Sequence, residues 1–303
     1  MIDELGIICP IDFSEPSRGA LRYAVAIGTR FKAPVTVLTV NDPLLVAAAD
    51  MAVGEGRLAS DARIELEKFF LDTCGGTPPG VSVGFTVTAG VAAKEILRLS
   101  RDGGARLIVM SSHGATGIRK MFFGSTTERV LRETSAAVLV TPATDHGPAR
   151  FEDAAARIRR VLVPVDLSEA LEEQVRVASG LAESIEAGLL LVHIVEPVRT
   201  FVPGHIYAPN VDNERRDRAE RRLQALVETL PATLHAEALV MFGDPAEEIA
   251  KVASDRQTGL IVIGLHASAL LGARMGSVTY RVISIAQAHT LVLALPPRPE
   301  TAR

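Results

Sequence analysis

The chain has no tryptophan, three tyrosines and ten phenylalanines, so aromatics make up only 4% of its 303 residues. An interior short of large rings must be filled by Ala, Val, Leu and Ile, as happens where helices pack on parallel strands. Only two cysteines are present, Cys9 and Cys74, too few for a disulfide framework. Positive charge is not in surplus: 32 Lys and Arg stand against 36 Asp and Glu, for a net charge of −4. That excludes a chain that grips nucleic acid or an acidic membrane through a basic surface. The arginine-rich run from Arg215 to Arg222 is interleaved with Asp217 and Glu220 at helical spacing, and reads as a solvated helix face. The longest apolar runs, near 188–194 and 290–295, fall far short of a membrane span. The start, Met1-Ile2-Asp3-Glu4, is acidic and leads straight into a strand, unlike a signal peptide. A cytoplasmic protein is expected.

What the chain does have is a duplication. Pro10-Ile11-Asp12-Phe13-Ser14-Glu15 returns as Pro164-Val165-Asp166-Leu167-Ser168-Glu169, an offset of 164 − 10 = 154. Gly124-Ser125 returns as Gly276-Ser277, an offset of 276 − 124 = 152. A period of that size makes each copy an ordinary domain, not a solenoid repeat. The expected division is a first domain over 1–143, a polar, Ala-rich linker over 144–157, and a second domain over 158–303. Val163 stands where the first copy has Cys9, so no chemistry common to both copies needs that thiol. It reads as a small buried apolar residue.

Short apolar runs bounded by Gly and Pro predict strands. They fall at Leu5–Ile11, Val35–Val40, Val81–Thr88, Leu107–Ser111 and Ala137–Thr141. The second copy repeats them at Arg160–Val165, Gly188–Val195, His235–Phe242, Leu260–Gly264 and Thr290–Leu295. Helical patterns lie between them, the first capped by Ser14 or Ser17. Asn41–Gly56 reads as a loop. So does Pro197–Pro209, read as an irregular surface loop or, more sharply, as one that covers a ligand or meets a partner. Strict alternation of strand and helix predicts an α/β fold with a parallel sheet covered on both faces. Ligands in such sheets sit at the carboxyl ends of strands, at the switch point. Strand order 3-2-1-4-5 brings Asp12, Val40 and the glycine loop to one such edge.

That loop reads Ser111-Ser112-His113-Gly114, nine residues, then Gly124-Ser125-Thr126. With the Asp12 strand before it and the closing Ala137-Val138-Leu139-Val140, it resembles the universal stress protein family. ATP-binding members of that family carry G-x2-G-x9-G-[S/T]. The resemblance covers nearly the whole chain twice, as in a tandem universal stress protein. It implies two Rossmann-like domains of the adenine nucleotide alpha hydrolase type, each a five-stranded parallel sheet. It also implies ATP as ligand, with or without Mg or Mn, and a role in stress regulation through an unidentified protein partner. By resemblance, Pro10, Asp12, Val40, Met110, Ser111, His113, Gly114, Gly124, Ser125 and Thr126 hold the nucleotide. Their second-copy counterparts are Asp166, Ile194, Gly264, Gly276 and Ser277. The physics agrees: glycines admit close backbone approach, and the N–H groups at Gly124–Thr126 open a helix where an anion is favoured. Arg119 and Lys120 lie inside the loop and can offset phosphate charge.

Both copies depart from the motif. Ser111 replaces its first glycine. In the second copy Ala267 replaces the second glycine and the loop is one residue shorter, so that site is expected to be degenerate. His113 and His266 recur at one position without an acidic or nucleophilic partner at motif spacing, which favours a backbone-bonding role over catalysis. No zinc spacing, HExxH, GxSxG or Walker A pattern is present. A nucleotide-free stress scaffold, or a binder of another small molecule, is the alternative, and slow ATP hydrolysis a weaker one. The last strand of each copy is apolar on both faces, an exposed edge if unpaired. The two are expected to pair antiparallel, giving an intramolecular pseudo-dimer; a homodimer of the whole chain is compatible with this.

Overall fold

The computed structural model describes residues 6–54, 56–113, 124–167, 171–197, 209–265, 276–286 and 290–296. Among the described residues ten strands form one sheet: β1 (Gly6–Pro10), β2 (Val35–Asn41), β3 (Val83–Ala89), β4 (Ala105–Ser111), β5 (Ala137–Thr141), β6 (Arg160–Pro164), β7 (Gly188–Val195), β8 (Glu237–Phe242), β9 (Leu260–Gly264) and β10 (Leu291–Leu295). Their order is β3-β2-β1-β4-β5-β10-β9-β6-β7-β8. Each half therefore has the expected 3-2-1-4-5 order. All neighbours are parallel except β5 and β10, which pair antiparallel with Leu139 opposite Leu293 and Val140 opposite Val292. The exposed edges expected for isolated halves are thus consumed by each other, and the two halves share one continuous sheet.

Side chains alternate across it with the period of two that strands impose. Ile7, Cys9, Val37 and Val109 enter one core; Ile8, Leu38, Ile108 and Met110 enter the other. Cys9 is fully buried, and desolvation pushes its thiol pKa far above the ordinary range. The covering helices are α1 (Glu15–Phe31), α2 (Pro43–Val53), α3 (Arg57–Cys74), α4 (Ala92–Asp102) and α5 (Ser125–Glu133) in the first half. They continue with α6 (Phe151–Ala155), α7 (Leu171–Ser184), α8 (Pro209–Glu228), α9 (Pro245–Asp255) and α10 (Ser277–Ala286). Among the described residues, no helix is long and apolar enough to cross a membrane.

Helix α1 shows why these segments fold as they do. Ser14 caps it by accepting from the Ser17 N–H, Pro16 sits in the first turn, and Ala20, Leu21, Ala24 and Val25 form its buried stripe. Left-handed Lys32 (φ +52°) ends it.

Helix α2 corrects the loop expected over Asn41–Gly56. Asp42 caps it by accepting from the Leu44 N–H at 2.7 Å, and Gly54 closes it. The helix has no apolar stripe: Leu44 and Met51 are 80% and 84% exposed. Periodicity, which detects one-sided burial, had nothing to detect.

The segment between the halves also carries structure. Helix α6 sits within it, and the chain leading to it lies against α1. Tyr23 donates its hydroxyl to Asp145 at 2.7 Å, and Arg22 donates to the His146 carbonyl at 2.8 Å. Phe31 and Phe151 meet edge to face, ring centres 5.7 Å apart. This connection is a strap packed on the first half.

Candidate functional site

Strands β2, β1 and β4 are consecutive neighbours, so their carboxyl ends meet at one edge. Asp12 follows β1 and is exposed there; Val40, half-buried, lies near the end of β2; Ser111 ends β4. Helix α5 begins at the same edge, with Gly124 as its cap residue. The structure thus brings together Pro10, Asp12, Val40, Met110, Ser111, His113, Gly124, Ser125 and Thr126. Gly114, Arg119 and Lys120 lie outside the described residues, as do Ser168, His266, Ala267 and nearly all of the Pro197–Pro209 segment.

Asp12 is oriented locally. Its Oδ1 accepts from both the N–H and the hydroxyl of Ser14, so the residue that caps α1 also fixes the carboxylate. Between them Phe13 adopts φ +63°, a left-handed conformation costing a non-glycine residue roughly 1–2 kcal/mol. Leu167, after Asp166 in the second half, does the same at φ +59°. Strain repeated at both switch points marks the aspartate turn as a built feature.

The helix start departs from the sequence expectation in one respect. The Gly124 N–H is not open: it donates to the Ser112 carbonyl at 3.1 Å. The first intrahelical bond runs from the Glu128 N–H to the Gly124 carbonyl at 3.0 Å. The N–H groups of Ser125, Thr126 and Thr127 precede that bond and form the anion-favouring end of the helix. Ser125 is exposed beside them.

Thr127, which sequence reasoning missed, locks this start to the sheet. Its hydroxyl donates to the Ser111 carbonyl at 3.0 Å. Ser112 is fully buried, and its hydroxyl lies 3.1 Å from His113 Nδ1. The turn after β4 is therefore tied at Ser111, Ser112 and His113 before the loop begins. Thr141, at the carboxyl end of β5 and paired in register with Ser111, has a buried hydroxyl with no partner among the described residues.

The second half repeats the frame. The Gly276 N–H donates to the Leu265 carbonyl at 2.9 Å, and the Tyr280 N–H to the Gly276 carbonyl at 3.0 Å. The Thr279 hydroxyl donates to the Gly264 carbonyl at 2.8 Å. Asp166 is exposed after β6, and Ile194 is half-buried near the end of β7. One polar difference lies at this edge. His193 Nδ1 sits 2.7 Å from the Val165 carbonyl, where the first half has buried Thr39.

A sequence profile of the universal stress protein family matches residues 6–142 and again 157–294. The chain belongs to the universal stress protein family. It is a tandem universal stress protein, carrying two repeats. A universal stress protein of Mycolicibacterium smegmatis is 28% identical over 304 residues, covering 97% of this chain and 98% of its own. One from Methanocaldococcus jannaschii is 28% identical over 152 residues, covering 44% of this chain and 92% of its own. The crystal structure of a universal stress protein from Archaeoglobus fulgidus superimposes with a TM-score of 0.61 at 18% identity. It covers 98% of this chain and 97% of that one. At that identity the likeness is one of fold.

Proposed function

We propose that the first half of this universal stress protein binds ATP, and that the protein acts by binding and not by catalysis. The observation that carries the reading is the start of α5. Three backbone N–H groups and the exposed Ser125 hydroxyl lie at the sheet edge where the Asp12 carboxylate is held by Ser14. An anion favours the helix end, and an oriented carboxylate suits the hydroxyls of a ribose. Asp12 and the Val40 backbone take the adenosine end. The loop from Gly114 to Gly124, with Ser125 and Thr126, takes the phosphates; Pro10, Met110, Ser111 and His113 shape the floor. Among the described residues no group of three or more His, Cys, Asp or Glu gathers. In this reading a Mg or Mn ion arrives on the phosphate oxygens. The second site, with Asp166, Ile194, Gly264, Gly276 and Ser277, is degenerate because Ala267 and a shorter loop disturb its cradle. In this reading the protein is cytoplasmic and passes its nucleotide state to a protein partner.

Calorimetric titration of the full chain with ATP tests this. One ATP per chain is expected, weakened at least tenfold by Gly124→Leu, which places a bulky residue at the cap of α5. Two equal sites would refute the degeneracy of the second half. No binding to the unmodified chain would refute the reading itself.

A further inference from the structure

Where the halves meet, on the face of the sheet that carries α1 and α7, the structure holds an apolar pocket of about 360 Å³. Its walls come in repeat-related pairs, each offset by 154 residues. Ile27 faces it from α1 and Leu181 from α7; Phe31 and Ile185 line it one turn further on; Leu139 and Leu293, directly opposed in the β5–β10 ladder, form its floor. The strap breaks this symmetry. Phe151, Ala154 and Ala155 of α6 close the pocket from one side, and they belong to neither repeat.

The lining offers almost nothing polar. The one hydroxyl among its described lining residues, that of Tyr23, already donates to Asp145. Arg106, at the start of β4, is the one charged residue among the described lining residues. Apart from Arg106, the described lining gives a charged or hydrogen-bonding group little to replace the water it would lose. An apolar cavity of about 150 Å³ lined by Leu, Ile and Phe stays dry and binds benzene; this one has more than twice that space. It also falls within the ordinary size range of small-molecule sites.

We propose that this pocket is a second binding site, distinct from the nucleotide edge, for an uncharged hydrocarbon-like molecule: an alkyl chain or a fused ring. The strap is its lid, so the site is closed only because the two repeats are joined in one chain.

The test is fluorescence titration of the full chain with the uncharged probe N-phenyl-1-naphthylamine. One saturable site per chain is expected, with a micromolar dissociation constant. Competition with 1-decanol and with naphthalene distinguishes a chain from a ring: displacement by either supports the site and assigns its class. Ala155→Trp fills the pocket from the strap, and Ile27→Trp fills it from α1. Each is expected to weaken the probe at least tenfold while far-ultraviolet circular dichroism stays unchanged, and whichever variant folds decides. Absence of saturable binding, displacement by neither competitor, or a folded variant within twofold of the unmodified chain would overturn the proposal.

Discussion

Gly19→Ala sets two effects of known sign against each other. Gly19 lies inside α1, where alanine is favoured over glycine by about 1 kcal/mol on helix propensity alone. Yet a Cβ at this position would lie 2.0 Å from the Asp145 carbonyl oxygen and 3.2 Å from its carbon. Real Cβ atoms essentially never approach a heavy atom below 3.0 Å, so the strap backbone must retreat by about 1 Å or more. That retreat acts first on the bonds made beside it. Tyr23 to Asp145 is a bond to a charged acceptor, worth about 1.5–3 kcal/mol; Arg22 to the His146 carbonyl, more exposed, contributes about 0.5–1 kcal/mol. The steric loss exceeds the propensity gain, and Gly19→Ala is expected to destabilise by about 1–3 kcal/mol. Gly180, exposed within α7 with nothing within 4 Å of its Cβ position, is the control. There alanine should stabilise by about 0.5–1 kcal/mol. Urea denaturation at unchanged m value reads both. In a background lacking the Tyr23 hydroxyl (Tyr23→Phe), the cost of Gly19→Ala should shrink, because part of what it breaks is already gone. Equal and stabilising effects of alanine at positions 19 and 180 would refute the strap as a packed element.

Thr127→Val keeps the side-chain shape but removes the bond to the Ser111 carbonyl. It should cost about 1–2 kcal/mol, as should Thr279→Val at the Gly264 carbonyl; denaturation curves unchanged for both would show that these ties add nothing. Asp244 caps α9 through the N–H groups of Ala246 and Glu247, and the hydrogen bond from Arg281 holds its carboxyl pKa below the usual range. A depressed folded pKa gives stability that is present above the unfolded value near 3.9 and lost as pH falls through the folded one. Asp244→Ala should therefore cost about 1 kcal/mol at neutral pH, and the gap between variant and parent should narrow below about pH 4. The carboxylate is partly solvated, so no larger figure is expected. A gap constant from pH 7 to pH 3 would exclude the ionised cap as its source.

The legible parts of the chain are those whose signal is local. Strands β5, β7 and β9 coincide with the apolar runs 137–141, 188–195 and 260–264, because Gly and Pro punctuate buried strands. The junction of β5 with β10 was legible too, since two doubly apolar edge strands need a partner. Helix α2 was not, because a helix of nearly uniform apolar composition with no buried face has no period. Nor was α6: its Phe151 packs on Phe31, and the chain leading to it is held by Tyr23 through Asp145, contacts made 120 or more residues apart in the chain. At the site, sequence located Gly124 and Ser125 but not which donors stay open. That depends on the Ser112 carbonyl turning back to take the Gly124 N–H, a property of the turn and not of the residue types in it. One signal was present and unread: Thr127 and Thr279 recur at the same 152-residue offset as the Gly-Ser pair.

The two repeats separate what the fold needs from what a ligand needs. The backbone bond at Gly124 and Gly276, the threonine tie at the third helical position and the left-handed residue after the aspartate occur in both halves. They survive although the loop between the glycines differs in length and in its second glycine. A helix start held to the sheet by those ties does not by itself require a phosphate, so the frame cannot be the discriminating feature. Discrimination must reside in the loop residues that differ and in the edge position where His193 replaces Thr39. The strap differs in kind: it has no counterpart in either repeat, and it closes a pocket whose walls are otherwise symmetric. Of the two proposed sites, the sheet edge recurs in each repeat, whereas the apolar pocket is closed by a segment that lies between the repeats.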